Sequence, residues 1–488
     1  MKNLKDILYK VPIDQVFGNT DLYIHQLVFD SRKVEKNDVF VAQRGVHVDG
    51  HIFIDKAIGS GAIVIVCEAI PVDKKLDVTY IQVSDASVAL AIMASNFYNN
   101  PSEKLLLVGV TGTNGKTTIA SLLYQLFKKA DRKVGLLSTV KIMVDDQAYK
   151  ATHTTPDSVA INEYLNKMVA QDVEYCFMEV SSHGIHQKRT EGLFFAGGIF
   201  TNLSHDHLDY HKTFSEYRNV KKSFFDRLPS AAFALTNIDD KNGGYMLQNT
   251  KAKKQNYSLK TIADFKTKIL EKRLSGTLFA YQGTEVWTKL IGEFNIYNLT
   301  AIIATSELLG LEKLDILTIV SALESVDGRF EYVVSQDNVT AIVDYAHTPD
   351  ALKNVLETIN DIRTGNEKVI TVIGCGGDRD VLKRPKMAHI ASQLSNEVVF
   401  TSDNPRNENP QSILDAMEAG VSPENFKKTL SVLDRRQAIK TACRLSQGGD
   451  ILLIAGKGHE TYQEINGERT YFSDMKEVKK CFKTLKNN

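Results

Sequence analysis

Gly109-Val110-Thr111-Gly112-Thr113-Asn114-Gly115-Lys116-Thr117-Thr118 lies between two segments of different character. Before it, Leu105-Leu106-Leu107-Val108 is an apolar run that reads as a buried strand. After it, Ile119, Leu122, Leu123, Leu126 and Phe127 recur at helical spacing. Strand, glycine loop and helix form the setting of a phosphate-binding loop. Its glycines let backbone N–H groups turn inward around phosphate oxygens, and the helix N-terminus adds its positive dipole end. Lys116 is placed to reach β- and γ-phosphates, and the Thr117 hydroxyl to ligate Mg²⁺. The spacing departs from the usual motif, because Val110 stands where the first glycine would be.

The bulk properties narrow the class. The chain has 488 residues, enough for about three domains. Hydrophobic residues make up 43% and charged residues 24%, as in an ordinary globular protein. A formal net charge of zero argues against a nucleic-acid binder that works by neutralising phosphates. Met1-Lys2-Asn3-Leu4-Lys5-Asp6 lacks the apolar stretch of a signal peptide, and no apolar run approaches the ~20 residues of a membrane span. The five cysteines are scattered, form no metal-spaced pair and suit a reducing compartment. A cytoplasmic protein without membrane contact is expected.

Three units are legible, over residues 1–100, 101–335 and 336–488. In the first, Val39–Ala42 and Ala62–Val66 read as strands with a helix between them, and Asn99-Asn100-Pro101-Ser102 as a linker. In the second, the strands Leu105–Val108, Val134–Leu137, Tyr175–Met178, Gly198–Phe200 and Phe233–Leu235 alternate with amphipathic stretches. In the third, Ala341–Val343, Val369–Ile373, Val398–Phe400 and Ile451–Ile454 repeat that grammar. The pattern predicts an α/β protein with mainly parallel sheets covered by helices. Ligands of such sheets sit beyond the carboxyl ends of the strands.

Those ends are polar. Glu179 closes one strand and either holds Mg²⁺ near the phosphate loop or caps the strand end. His205, Asp206, His207, Asp209 and His211 crowd the next turn. They read better as one histidine near magnesium than as a zinc site, because hard Mg²⁺ prefers oxygen and tolerates an occasional imidazole. In the third unit, Asp344–Pro349, Gly374–Asp380, Asp403–Arg406 and Gly456–Glu460 each follow a strand. Arg379 and Arg406 are suited to grip carboxylates bidentately.

The ordered set of the phosphate loop, Glu179-Val180-Ser181-Ser182-His183, Asp206-His207-Leu208-Asp209, Asp344-Tyr345-Ala346-His347 and Gly456-Lys457-Gly458-His459-Glu460 resembles the Mur ligases, the ATP-dependent amide-forming enzymes of peptidoglycan precursor synthesis. The resemblance spans nearly the whole chain. It implies a UDP-sugar-binding domain, a central ATPase domain and a Rossmann-like C-terminal domain that binds the amino acid. It assigns Gly112, Thr113, Asn114, Gly115, Lys116, Thr117 and Thr118 to ATP, with Asn298 on the adenine side. Thr117, Glu179 and His207 are implied for Mg²⁺, with Lys221 carbamylated to help hold a second ion. Lys116, Lys221 and His207 are thus the implied catalytic set. For the sugar nucleotide it implies Phe29, Ser31, Val46, His47 and Val48, and for its muramoyl-dipeptide Thr154, Thr155, Ser181, Gln187 and Arg189. His153 departs from the family, where asparagine is common.

Asp403, Asn404, Pro405 and Arg406 resemble the motif of members that add meso-diaminopimelate to UDP-N-acetylmuramoyl-L-alanyl-D-glutamate; Arg379, Gly456 and Glu460 complete the implied pocket. Diaminopimelate carries one carboxylate more than lysine. A guanidinium pairs that group and repels lysine's bare ammonium end. The implied reaction passes the γ-phosphoryl group of ATP to the D-glutamate carboxylate, and the amine then attacks the acyl phosphate. His347 or a carboxylate is available to take the amine's proton. The expected protein is a monomer. The competing readings are a lysine-adding member, another amide ligase such as the D-alanyl-D-alanine-adding enzyme or folylpolyglutamate synthetase, and a P-loop scaffold with no amino-acid-dependent chemistry.

Overall fold

The computed structural model describes residues 1–485 except 46, 47, 205 and 207; for 208, 209 and 485 it describes the backbone. Among the described residues three large sheets follow one another along the chain. In the first, of five strands, Leu27–Val28, Asp38–Ala42, Ala62–Cys67 and Thr79–Gln82 run parallel, and Gln15–Phe17 closes one edge antiparallel. Phe29 and Ser31 follow directly on its edge strand Leu27–Val28.

The second sheet has eleven strands with Leu106–Thr111 near its middle, between Tyr175–Glu179 and Gly197–Phe200. The strands from Val134–Leu137 across to Phe265–Arg273 are parallel. Both faces are covered, which is why its central strands are apolar throughout rather than alternating. Val108 and Val110 pack into one cluster with Ile119, Leu122, Leu123, Leu126 and Phe127 of helix Lys116–Lys129. Leu107 packs into the opposite cluster with Tyr217, Phe224 and Phe225 of helix Phe214–Asp226. The antiparallel strands Phe265–Arg273, Gly276–Tyr281 and Thr284–Thr288 extend one edge, and the hairpin Ile142–Val144 with Gln147–Tyr149 the other.

The third sheet has six strands. It takes in Glu331–Val334, on the far side of the expected boundary at 336, because that strand pairs antiparallel with Thr340–Asp344. Asp344, Ala455, Ile373 and Phe400 stand in one register row across four parallel strands. The four loops that follow therefore leave from a single edge. No helix among the described residues is long and apolar enough to cross a membrane.

Behind that edge lies a fully buried ion pair. Arg435 Nε and Nη2 donate to Asp474 Oδ1 and Oδ2 at 2.8 and 2.7 Å, and Nη2 also donates to Ala455 O at 2.9 Å. Both side chains are 0% exposed. Removing one partner strands a buried charge. Asp474→Ala is expected to destabilise the third domain by about 3–5 kcal/mol. The check is its urea unfolding midpoint, and an unmoved midpoint would refute the assignment.

Candidate active site

The phosphate loop is held open by its neighbours. Gly112 and Gly115 have φ of +149° and +89°. A Cβ on Gly112 would collide with Thr201 Oγ1, and one on Gly115 would come within 2.6 Å of Asn298 Oδ1. Asn202 accepts the Asn114 N–H at 2.9 Å, and Thr201 Oγ1 donates to Asn114 O at 2.6 Å. Asn298 lies buried on helix Glu293–Leu308, against the turn that starts helix Lys116–Lys129.

Strand register puts Glu179 opposite Val110. Its carboxylate is 0% exposed and accepts from Thr117 Oγ1 at 2.9 Å and from the Thr139 N–H at 2.7 Å. A buried carboxylate oxygen beside a hydroxyl is an all-oxygen donor set that fits a hard Mg²⁺ ion. Of the two readings of Glu179, this geometry favours the metal ligand over a strand cap. His207 lies outside the described residues.

Two lysines share the cradle. Lys116 Nζ donates to Gly112 O and Thr113 O at 3.0 and 2.8 Å. Lys221 Nζ donates to the same Gly112 O at 2.8 Å. Composition alone gives a helical lysine no role, yet Lys221 is only 1% exposed. Helix Phe214–Asp226 approaches because the strands beneath it carry glycines: a Cβ on Gly109 or Gly198 would stand 2.6 or 2.8 Å from the Phe224 ring. Burial holds the Lys221 amine well below the ordinary lysine range, Lys116 pushes it further down, and Asp206 opposes both. Burial also lowers Lys116, against the pull of Glu179 and Asp206.

A second polar group adjoins Glu179. Thr155 Oγ1 donates to Glu179 O at 2.8 Å and accepts from the Ser181 N–H at 2.9 Å. Arg189 donates to Thr155 O and to Gln187 Oε1, both at 2.6 Å. Thr139 Oγ1 donates to Thr154 Oγ1 at 3.0 Å. Thr154, Thr155, Ser181, Gln187 and Arg189 thus form one network. Phe29 and Val48 are exposed and Ser31 is buried, while Val46 and His47 lie outside the described residues.

The loops at the edge of the third sheet converge. Asn404 Nδ2 donates to Glu460 Oε2 at 2.8 Å, and Gln463 Nε2 to Asp403 O at 2.8 Å. Arg406 takes φ +52° and donates from Nη1 to Gly377 O at 2.6 Å. Arg379 and Arg406 both flank Gly376, where a Cβ would lie 3.8 and 3.0 Å from them. Gly456, with φ +113°, leaves room for Asp403 Oδ2, which would be 2.8 Å from a Cβ. Pro405 follows in the same turn, its carbonyl packed on Gly377. His347 is half-buried, and desolvation, then Lys383, hold it below the ordinary histidine range; its Nδ1 donates to Tyr345 O at 2.9 Å, which leaves Nε2 as the acceptor.

Sequence reasoning missed the residues that join the two sites. Arg329 Nη2 donates to Thr117 Oγ1 at 3.2 Å, and its guanidinium lies 4.5 Å from the Tyr345 ring. Asn114 Nδ2 donates to Asp350 Oδ2 at 3.2 Å. Gly328, with φ +65°, packs against the backbone of Gly458 and His459. Its glycine beside an arginine was the available signal.

Residues 23–98, 110–306 and 328–458 match the family models described as "Mur ligase family, catalytic domain", "Mur ligase middle domain" and "Mur ligase, glutamate ligase domain". A UDP-N-acetylmuramoyl-L-alanyl-D-glutamate–2,6-diaminopimelate ligase of Cytophaga hutchinsonii is 55% identical over 483 residues, 99% of each chain. The chain belongs to the Mur ligase family. A ligase of the same name from Bacteroides fragilis is 50% identical over 98% of this chain and 99% of that one. A solved structure of a ligase of that name superposes with a TM-score of 0.70 at 31% identity, covering 100% of both chains. As a Mur ligase, the protein is an ATP-dependent, ADP-forming enzyme. Gly115→Ala imposes a strained φ and a contact with Asn298, and is expected to weaken Mg-ATP binding at least about tenfold. Titration calorimetry checks it; wild-type affinity in the variant would refute it.

Proposed function

We propose that this Mur ligase joins meso-diaminopimelate to the D-glutamate residue of UDP-N-acetylmuramoyl-L-alanyl-D-glutamate, with conversion of ATP to ADP and phosphate. The observation that carries the reading is the third-sheet loop cluster, where Arg406 lies against Gly376 and Gly377, Asn404 of the same turn donates to Glu460, Asp403 lies against Gly456, and Arg379 stands at the exposed rim. Such a pocket matches the far end of diaminopimelate, an ammonium and a carboxylate on one carbon. Relatives that bear that ligase's name at 50–55% identity over nearly the full length support it. A P-loop scaffold has no need of this pocket.

The carboxylate acceptor is already anionic and a poor electrophile. Phosphoryl transfer gives it a leaving group, and attack by the free amine then forms the amide and expels phosphate. Lys116 and the loop N–H groups hold the triphosphate. The Thr155–Ser181–Arg189 network positions the dipeptide beside Glu179. Neutral His347 accepts the proton of the incoming amine through Nε2. Thr117 and Glu179, with His207 and a carbamylated Lys221, would hold Mg²⁺, which when bound neutralises charge on the phosphoryl group. Burial of Lys221 supports carbamylation, since only a neutral amine adds CO₂ and the product is an anion suited to a cation. The enzyme acts as a monomer in the cytoplasm, where its nucleotide substrates are made.

The deciding experiment measures phosphate release from Mg-ATP and the UDP-dipeptide with meso-diaminopimelate or L-lysine. Release with diaminopimelate alone is expected; release with lysine alone would overturn the amino-acid assignment, and release with neither would overturn the ligase reading. Arg406→Ala is expected to raise KM for diaminopimelate about 10–100-fold with KM for ATP unchanged. Lys221→Ala is expected to lower kcat on the order of a hundredfold and to regain part of it with added formate or acetate. A fully active Lys221→Ala would remove the carbamate.

A further inference from the structure

Lys457 is a lysine with no exposed surface, set inside the amino-acid pocket. Its Nζ lies 2.9 Å from Asn404 Oδ1, 3.0 Å from Glu460 Oε2 and 3.5 Å from Asp403 Oδ1. The ring of Tyr462 lies 5.4 Å away on another side. The ammonium donors are thus directed into the pocket wall, so Lys457 does not itself hold a ligand. Its contacts instead fix the groups that would. Asn404 Oδ1 accepts from both Lys457 and the Glu464 N–H at 3.0 Å, which turns Nδ2 toward Glu460. Glu460 Oε2 is occupied by Lys457 and Asn404, and Oε1 is left for an incoming ammonium. Of the other charges nearby, Arg384 pairs with Glu408 at 2.8 Å, Arg435 with Asp474, the exposed Arg469 with Glu464 at 3.0 Å, and Arg329 faces the buried Asp344. Asp378, Arg379 and Asp380 sit at the exposed rim, where solvent screens them.

Resting on the amino-acid reading above, we propose that Lys457 is a specificity-determining positioning residue: its buried charge offsets one of the two carboxylates, so that the pocket accepts a zwitterionic end and gains no advantage from a bare cationic one. With Lys457 present, Asp403 and Glu460 together offer one uncompensated negative charge, enough for one ammonium, and the accompanying carboxylate goes to Arg406. Without it, the uncompensated charge doubles in a desolvated site. That attracts the lone ammonium of lysine and repels the extra carboxylate of diaminopimelate.

The test compares kcat/KM for meso-diaminopimelate and for L-lysine in wild type, Lys457→Gln and Lys457→Arg, with Mg-ATP binding as the measure of folding. In Lys457→Gln the ratio of diaminopimelate to lysine use is expected to fall at least about tenfold. KM for ATP is expected to stay unchanged. Lys457→Arg keeps the charge and is expected to hold the ratio within about threefold of wild type. Equal losses on both amino acids in Lys457→Gln would make the residue a strut and overturn the proposal. So would a collapse of the ratio in Lys457→Arg, which also serves where Lys457→Gln does not fold. Failure of the amino-acid reading shows separately, as a wild-type enzyme that uses lysine and refuses diaminopimelate.

Discussion

Two amines converge on one carbonyl oxygen. Lys116 and Lys221 come from different helices on opposite faces of the central sheet, yet both donate to Gly112 O. Like charges in a desolvated cradle repel, and nothing in ordinary folding rewards such an arrangement. The repulsion is relieved when Lys221 sheds its proton, when a polyanion enters or when one amine changes sign. The cradle's glycines, the approach of helix Phe214–Asp226 over Gly109 and Gly198, and the burial of Glu179 all serve to maintain that concentration of charge. Sites of this kind keep strain and unpaired charge where chemistry needs them.

Parallel register does the rest of the positioning. In the central sheet it sets Glu179 beside Val110, where its carboxylate accepts from Thr117 Oγ1. In the third sheet it brings Asp344, Ala455, Ile373 and Phe400 into one row. The phosphate-loop cradle and the third-sheet loop cluster are thus each built at strand ends, and Arg329 and the Asn114–Asp350 hydrogen bond span the space between them.

Much of this was readable in the chain. The apolar strands of the parallel sheets are buried on both faces, so they appear as uninterrupted runs whose ends differ from the structure by up to three residues. Two strands were not legible, because the peripheral Phe265–Arg273 alternates charged and apolar residues and the edge strand Glu331–Val334 is half exposed; their pairing depends on partners rather than on an apolar signature. The phosphate loop and Glu179 announced themselves through motif and context. Lys221, Arg329 and Lys457 did not. Each is a long cation whose sequence neighbourhood suits a solvated surface, and only tertiary packing removes it from water.

The row of strand ends in the third domain also bears on how such an enzyme diversifies. The strands end at Asp344, Ala455, Ile373 and Phe400, and the hydrogen bonding between them reaches Gly456, whose N–H donates to Asp344 O. Exchanges confined to the exposed side chains of the loops that follow leave the strands untouched, whereas Gly456, Lys457 and Gly458 are packed into the domain and are less free to change. The domain works as a rack with exchangeable fittings, and the selection of a new building block for a polymer needs only a few residues at one rim.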